Sequence, residues 1–257
     1  MPDAATTEHA QRASQTAVRA PSRPRSRDVI PLDQPVIVAI DGPAGTGKSS
    51  VARELAHRLG LDFLDTGAMY RAAAAIMLDK GLRPDDAQRL VDEVVSADLH
   101  FDWTADPPTI LAWMEPIDHR IRDEDVTGVV SRVAGIGLLR RHMVAKQRII
   151  ARQHPRLVTE GRDQGSVVFP DAEAKFFLDA RPEVRAARRA DQLREAGHEV
   201  DEGALLREII ERDRSDACRT DGPLIRPHDA ELVDTSDLSF DEVVDHLYER
   251  VLAIIPG

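Results

Sequence analysis

From Pro35 onward the chain alternates between two hydrophobic periods. Val36-Ile37-Val38-Ala39-Ile40 is an uninterrupted apolar run of strand length, the pattern of a strand buried on both faces. A glycine-rich turn follows, then a helix-period stretch over residues 48–59 that stops at Gly60. Residues 61–64 predict a second short strand, and residues 67–80 a helix closed by Gly81. Pro84-Asp85-Asp86 opens another helix, with proline at an early position and acids near the positive end of the dipole. Short strand-like pieces around Asp106-Pro107-Pro108, within residues 98–114, predict a small hairpin insert. Beyond it come a helix over 138–153 and strands over 157–159, 167–169 and 175–178. Helices over 182–196 and 204–213 follow, and a strand over 231–234 and a helix over 240–255 close the chain. Alternation of this kind predicts an α/β fold, a largely parallel central sheet flanked by helices.

Residues 1–35 break the pattern. They are rich in Ala, Ser, Arg and Pro with little apolar periodicity, so they cannot bury enough surface to offset their ordering entropy and are expected to be a disordered tail. An Arg- and Ser-rich transit peptide is the alternative, weakened by Asp3, Glu8 and Asp28. The expected folded unit is therefore residues 36–257. The chain has 257 residues, 34 Lys+Arg against 45 Asp+Glu, and a net charge of −11. Removing the tail's five arginines and four acids leaves −12 on the rest. An acidic surface argues against a nucleic acid polymer as partner. No apolar run reaches the length of a membrane span, and a monomer is expected. Cys218 is the only cysteine, which excludes an internal disulfide and fits a reducing, cytoplasmic setting. Lysine is rare: Lys48, Lys80, Lys146 and Lys175 are four of the 34 basic residues, and arginine supplies the rest. Asparagine is absent, so no Asn-Lys-x-Asp guanine-reading motif exists.

Candidate chemistry begins between the first strand and first helix. Gly42-Pro43-Ala44-Gly45-Thr46-Gly47-Lys48-Ser49, followed by Ser50, satisfies G-x-x-x-x-G-K-[ST] in the strand–turn–helix context its mechanism requires. Its backbone N–H groups and the helix N-terminus suit phosphate. Lys48 is expected to reach the β- and γ-phosphates of ATP or GTP, and Ser49 to help hold Mg²⁺. A GTPase is disfavoured by the missing Asn-Lys-x-Asp. A motor is disfavoured because the strand at 157–159 runs into Glu160-Gly161-Arg162-Asp163, a turn carrying an arginine, although Glu160 or Asp163 could serve the metal.

Arginine supplies a second set of candidates. Thr66 can donate a hydrogen bond and Arg71 can hold a phosphate in bidentate fashion, with Tyr70 between them. Arg162-Asp163 lies in a loop bounded by Gly161 and Gly165. On a helix, Arg212, Asp216 and Arg219 would share one face at i, i+4 and i+7. Arg185, Arg188 and Arg189 follow the strand that ends near Asp179, where they could close over triphosphate as a lid. Each charge run has a plain alternative, a solvated ion-pair ladder.

The chain from about Val36 to Ile255 resembles the bacterial cytidylate kinases, a family of nucleoside-monophosphate kinases. IDGPAGTGKSS from Ile40, LDTGAMYR from Leu64, IRDEDVTGVVSRVA from Ile121, EGRDQGSVVFPD from Glu160 and ERDRSDACR from Glu211 carry the resemblance in order. It implies a P-loop kinase fold with a monophosphate-binding insert at about 67–150 and a lid at about 180–198. It also implies Mg²⁺-dependent transfer of phosphoryl from ATP to CMP or dCMP. By position, Thr66, Tyr70 and Arg71 would contact the acceptor, Ser131, Arg140 and Asp163 would read the cytosine, and Arg162 would bridge the phosphates. Arg212, Asp216 and Arg219 would hold the sugar and its surroundings, with Asp216 facing the hydroxyls. UMP, AMP or a small non-nucleotide acceptor is the nearest alternative, and a non-catalytic P-loop protein a more distant one.

Overall fold

The computed structural model describes residues 34–255 except residue 196, so the tail expectation lies outside the described residues but for its last two. The sheet has the order β2-β6-β1-β7-β8 and every neighbouring pair is parallel. Its strands are β1 (Val36–Asp41), β2 (Asp62–Asp65), β6 (Arg156–Gly161), β7 (Ala174–Asp179) and β8 (Glu231–Asp234). Parallel strands need crossovers, and helices supply them on both faces. On one face α1 (Lys48–Leu59) and α8 (Phe240–Ile254) pack Leu55, Leu59, Leu247 and Val251 onto Val38, Ile40, Phe176 and Leu178. The other face carries α2 (Thr66–Asp79), α3 (Ala87–Ala97), α4 (Glu124–Val133) and α5 (Gly137–Gln153). Neighbouring residues of one strand serve opposite cores, Leu157 one and Val158 the other, as the pleat dictates.

Helix α2 buries Ala72 through Ala75 completely, so four small side chains let it lie close against its neighbours. Among the described residues, no helix is long and apolar enough to cross a membrane.

The insert is a separate antiparallel sheet, β3 (His100–Asp102), β4 (Thr109–Ala112) and β5 (Glu115–Pro116), one strand more than the expected hairpin. Trp103 stacks on His154 at 3.8 Å, and His154 in turn meets Asp62 of β2 at 2.9 Å, which ties the insert to the sheet edge. Helices α6 (Pro182–Glu195) and α7 (Glu202–Ala217) pack together as a pair after β7.

Two expectations fail locally. Residues 167–169, expected as a strand, belong to a turn of π-helix over Gln164–Val168 and its cap. Both carboxylate oxygens of Asp41, at the end of β1, accept backbone N–H groups there, from Gln164 at 2.8 Å and Gly165 at 2.7 Å. That grip overrides the β preference of Val167, Val168 and Phe169. Arg219 also leaves the expected helix face, because α7 ends at Ala217.

Candidate active site

The carboxyl ends of β1, β2 and β6 meet in register, Asp65 beside Glu160 and Asp41 beside Gly161. A site therefore opens at the end of the sheet where α/β proteins bind ligands. The loop from Gly42 to Ser49 crosses it. Gly47 caps α1 at φ 85°, a backbone state that an L side chain strains to adopt, and no side chain occupies the helix N-terminus. The first-turn N–H groups are thus left for an anion.

Lys48 lies 5% exposed and donates to the Pro43 carbonyl at 2.7 Å. Burial, then the charge of Arg162, pulls its pKa down to about 7, against the opposing pull of Glu160 and Asp41. Ser49 is exposed, and its Oγ donates to Oε1 of Glu160 at 2.9 Å. Burial and the charge of Glu160 push the Asp65 carboxyl up. These oxygens are of the kind a hard divalent cation prefers.

Asp216 organises the second half of the site. It is 1% exposed, and its carboxylate accepts from Arg162 Nε at 2.9 Å, Ser131 Oγ at 3.0 Å and the Arg219 guanidinium. Burial alone would raise its pKa, but Arg162, Arg219 and Arg212 outweigh it and hold the group below the ordinary carboxylate value. Asp216 is thus the hub of the cluster, holding Arg162, Ser131 and Arg219 together. Ser131 joins this hub; its hydroxyl also accepts from Arg219 at 2.9 Å.

Arg212 lies beside the hub with its Nε buried and without a hydrogen-bond acceptor. Burial, then the charge of Arg162, lowers its pKa to about 10. Arg71 donates to Thr127 Oγ1 at 3.0 Å and the Ile121 carbonyl at 3.3 Å, and it lies within the fields of Arg122, Arg189 and Arg162. Arg122, which sequence reasoning passed over, thus belongs to the same cationic region. Asp216, Asp163 and Asp65 lie among these guanidinium groups, yet Arg212 Nε still lacks an acceptor, so the cleft can receive an anion.

Arg140 and Asp163 form a buried ion pair, their side chains 5% and 3% exposed. Arg140 also donates to the Ala134 carbonyl at 3.2 Å, and the Tyr70 ring lies 5.6 Å from its guanidinium carbon. Burial pushes Asp163 up, opposed by Arg140 and Arg219, and burial lifts Tyr70 to about 12. Arg219 couples this pair to the hub, since its field reaches both Asp163 and Asp216.

Three other expected site residues have partners within the protein. Thr66 is buried and donates to the Glu160 carbonyl at 2.7 Å, which pins the start of α2 to β6. Arg185, on α6, packs against the phosphate loop. It is 2% exposed and bridges Asp213 at 2.6 Å to the Ala44 carbonyl at 3.1 Å, bracing the phosphate loop from below. Arg188 is held by Thr235 through its carbonyl at 2.6 Å and its hydroxyl at 3.1 Å. Arg189 is exposed, and its field reaches Arg71. Asp41 was missed altogether, although a charged residue ending a buried apolar strand is a readable signal. Burial raises its pKa to about 7 despite the two N–H bonds it accepts.

Residues 38–253 match the cytidylate kinase family model. The chain belongs to the cytidylate kinase family. It is 44% identical over 220 residues to a cytidylate kinase of Corynebacterium glutamicum, covering 85% of this chain and 95% of that one. A cytidylate kinase of Methylococcus capsulatus is 45% identical over 220 residues, with 85% and 95% covered. One of Mycobacterium avium is 43% identical over 216 residues, with 84% and 95% covered. The matched range, residues 38–253, takes in the phosphate loop, the insert and the arginine cluster together.

Proposed function

We propose that the protein transfers the γ-phosphoryl group of ATP to CMP or dCMP, with the phosphate loop as donor site and the arginine cluster as acceptor site. The observation that carries the acceptor half is Arg212, a half-buried arginine whose buried Nε has no hydrogen-bond partner, beside Arg162 and Arg219. A nucleotide switch has no use for a second phosphate receptor. A phosphoryl acceptor does.

A phosphate monoester carries close to two negative charges at neutral pH, its second pKa being about 6. It needs no strong general base. Neutralisation and in-line alignment are the requirement, and positioning with electrostatics can meet it. Lys48 and residues 42–50 would hold the triphosphate, with Arg188 and Arg189 at the rim of that site. Arg71, Arg162, Arg212 and Arg219 would hold the acceptor phosphate between insert and core. Arg140 and Asp163 would read the base, because cytosine presents an amine donor beside acceptors.

The oxygens of Ser49 and Glu160, with Asp65 beside them, suit Mg²⁺. Among the described residues no group of three or more His, Cys, Asp or Glu side chains is gathered for a metal, so nucleotide oxygens and water would complete its shell. A Mg²⁺ held by Ser49 and Glu160 would supply positive charge against the phosphoryl group in transfer. The insert and the α6–α7 pair would close on the bound nucleotides and exclude water. One copy of the chain supplies every residue named, and a cytoplasmic reaction fits this reading.

The test is transfer of label from [γ-³²P]ATP. With CMP present, label in the β-position of CDP, abolished by Lys48→Ala, is the expected result. Label recovered only as inorganic phosphate would overturn the proposal.

A further inference from the structure

Residues 219–224 leave the end of α7 and run across the Arg140–Asp163 pair as a short strap. Gly222 sits at φ 60°, and a Cβ built there would overlap Nη2 of Arg140 and lie 2.6 Å from Oδ2 of Asp163. The strap backbone is therefore seated directly on the ion pair.

The strap is fastened at several points. The Leu224 N–H donates to the Asp216 carbonyl at 2.9 Å, and Arg219 donates to the Ser131 carbonyl at 3.2 Å. The Asp221 carboxylate lies against Gly137, the first residue of α5, where a Cβ would overlap Oδ2 and stand 3.2 Å from Cγ. Negative charge at a helix N-terminus is favourable. Since α5 also carries Arg140, strap and arginine are referenced to the same helix.

We propose that Gly222 is a positioning residue for acceptor-base selection: the strap backbone fixes the Arg140–Asp163 geometry, and only glycine leaves that geometry intact. This rests on the reading that the pair contacts the base. Any L residue at φ 60° is strained there. Its Cβ also meets both members of the ion pair, the Arg140 guanidinium most closely, and displaces it off Asp163. Close packing transmits the shift instead of absorbing it. The phosphate loop and Lys48 lie outside the contact, so donor binding is spared.

The experiment compares steady-state kinetics of full-length wild type, Gly222→Ala and Gly137→Ala with CMP and UMP at saturating ATP, then with ATP varied. For Gly222→Ala the KM for CMP should rise about tenfold, the scale of one charge-assisted hydrogen bond, and the CMP-to-UMP ratio of kcat/KM should fall comparably. The KM for ATP should stay at the wild-type value. Gly137→Ala favours the helix, so the fold is kept, but its Cβ pushes Asp221 away and should give a smaller loss in the same direction. An unchanged CMP-to-UMP ratio in folded Gly222→Ala overturns the proposal. If that variant does not fold, an unchanged ratio in Gly137→Ala overturns it. A wild type that does not prefer CMP overturns the base-pair reading itself, and this proposal with it.

Discussion

Replacing Asp216 by alanine isolates the electrostatics of the acceptor site. The substitution removes a carboxylate 1% exposed that accepts from Arg162, Arg219 and Ser131. Ser131 and Arg219 still have each other, but Arg162 Nε loses its acceptor beside the already unpaired Arg212 Nε. Breaking a buried charge pair costs about 3–5 kcal/mol. Arg162 keeps 20% side-chain exposure and can recover some hydration, which favours the low end, about 3 kcal/mol. For a domain of this size that lowers Tm by about 6–12 °C. The carboxyl is held below its ordinary value, so its contribution is complete above pH 3.8 and lost as pH falls through the folded pKa. The gap between wild type and variant should therefore persist from pH 8 to pH 5 and close only in stronger acid. Urea unfolding and thermal melts across that range measure it. Added inorganic phosphate should stabilise the variant more than wild type, because it replaces the missing negative charge. A loss below about 1 kcal/mol, the scale of an exposed pair, or no difference in the phosphate response, would refute the reasoning.

Lys48 has a pKa near 7 in the free protein, so at pH 8 it is largely neutral, and triphosphate should restore its charge. Calorimetry of ATP binding in buffers of different ionisation enthalpy should detect proton uptake in wild type that Lys48→Ala lacks; equal uptake in both would contradict the assignment. Asp41→Asn keeps size but can accept only one of the two N–H groups from Gln164 and Gly165, so stability should fall by about 1–3 kcal/mol. Unfolding in denaturant reads it directly, and a neutral result would show that the π-helical turn does not depend on both bonds. Arg185→Lys cannot reproduce the fork that joins Asp213 to Ala44, so the KM for ATP should rise about tenfold with the KM for CMP unaffected. A rise in both constants would place Arg185 outside a loop-bracing role.

The parts legible in the sequence are those set by local pattern. The apolar period and Gly60 give α1 its bounds without error, and the phosphate loop follows from its glycines and their place between strand and helix. The parallel sheet likewise follows from short apolar runs spaced by helices, although the run at 167–169 adds no strand to it. What stayed hidden depends on contacts across long separations. Helix α4 was passed over, although Val126, Val130 and Val133 bury at helical spacing, because β-branched residues and Gly128 weaken the local preference. The π-helical turn needs Asp41, 123 residues upstream of Gln164. Nothing near Arg185 in sequence announces Asp213 and Ala44 as its partners. Thr66 and Asp216 are polar residues at the right positions whose hydrogen bonds turn inward, and composition cannot distinguish a ligand contact from a scaffold contact. The arginine cluster was recognisable residue by residue; that Arg162, Arg212 and Arg219 converge on Asp216 emerges only when the elements are assembled.

The central claim is that this arginine-lined cleft selects a cytosine monophosphate. Initial rates of full-length protein with ATP and each of CMP, dCMP, UMP and AMP test it most directly. The account predicts kcat/KM for CMP and dCMP at least about tenfold above that for UMP and AMP, the scale of one discriminating hydrogen bond to a charged group. Turnover of UMP or AMP equal to or better than that of CMP would contradict it.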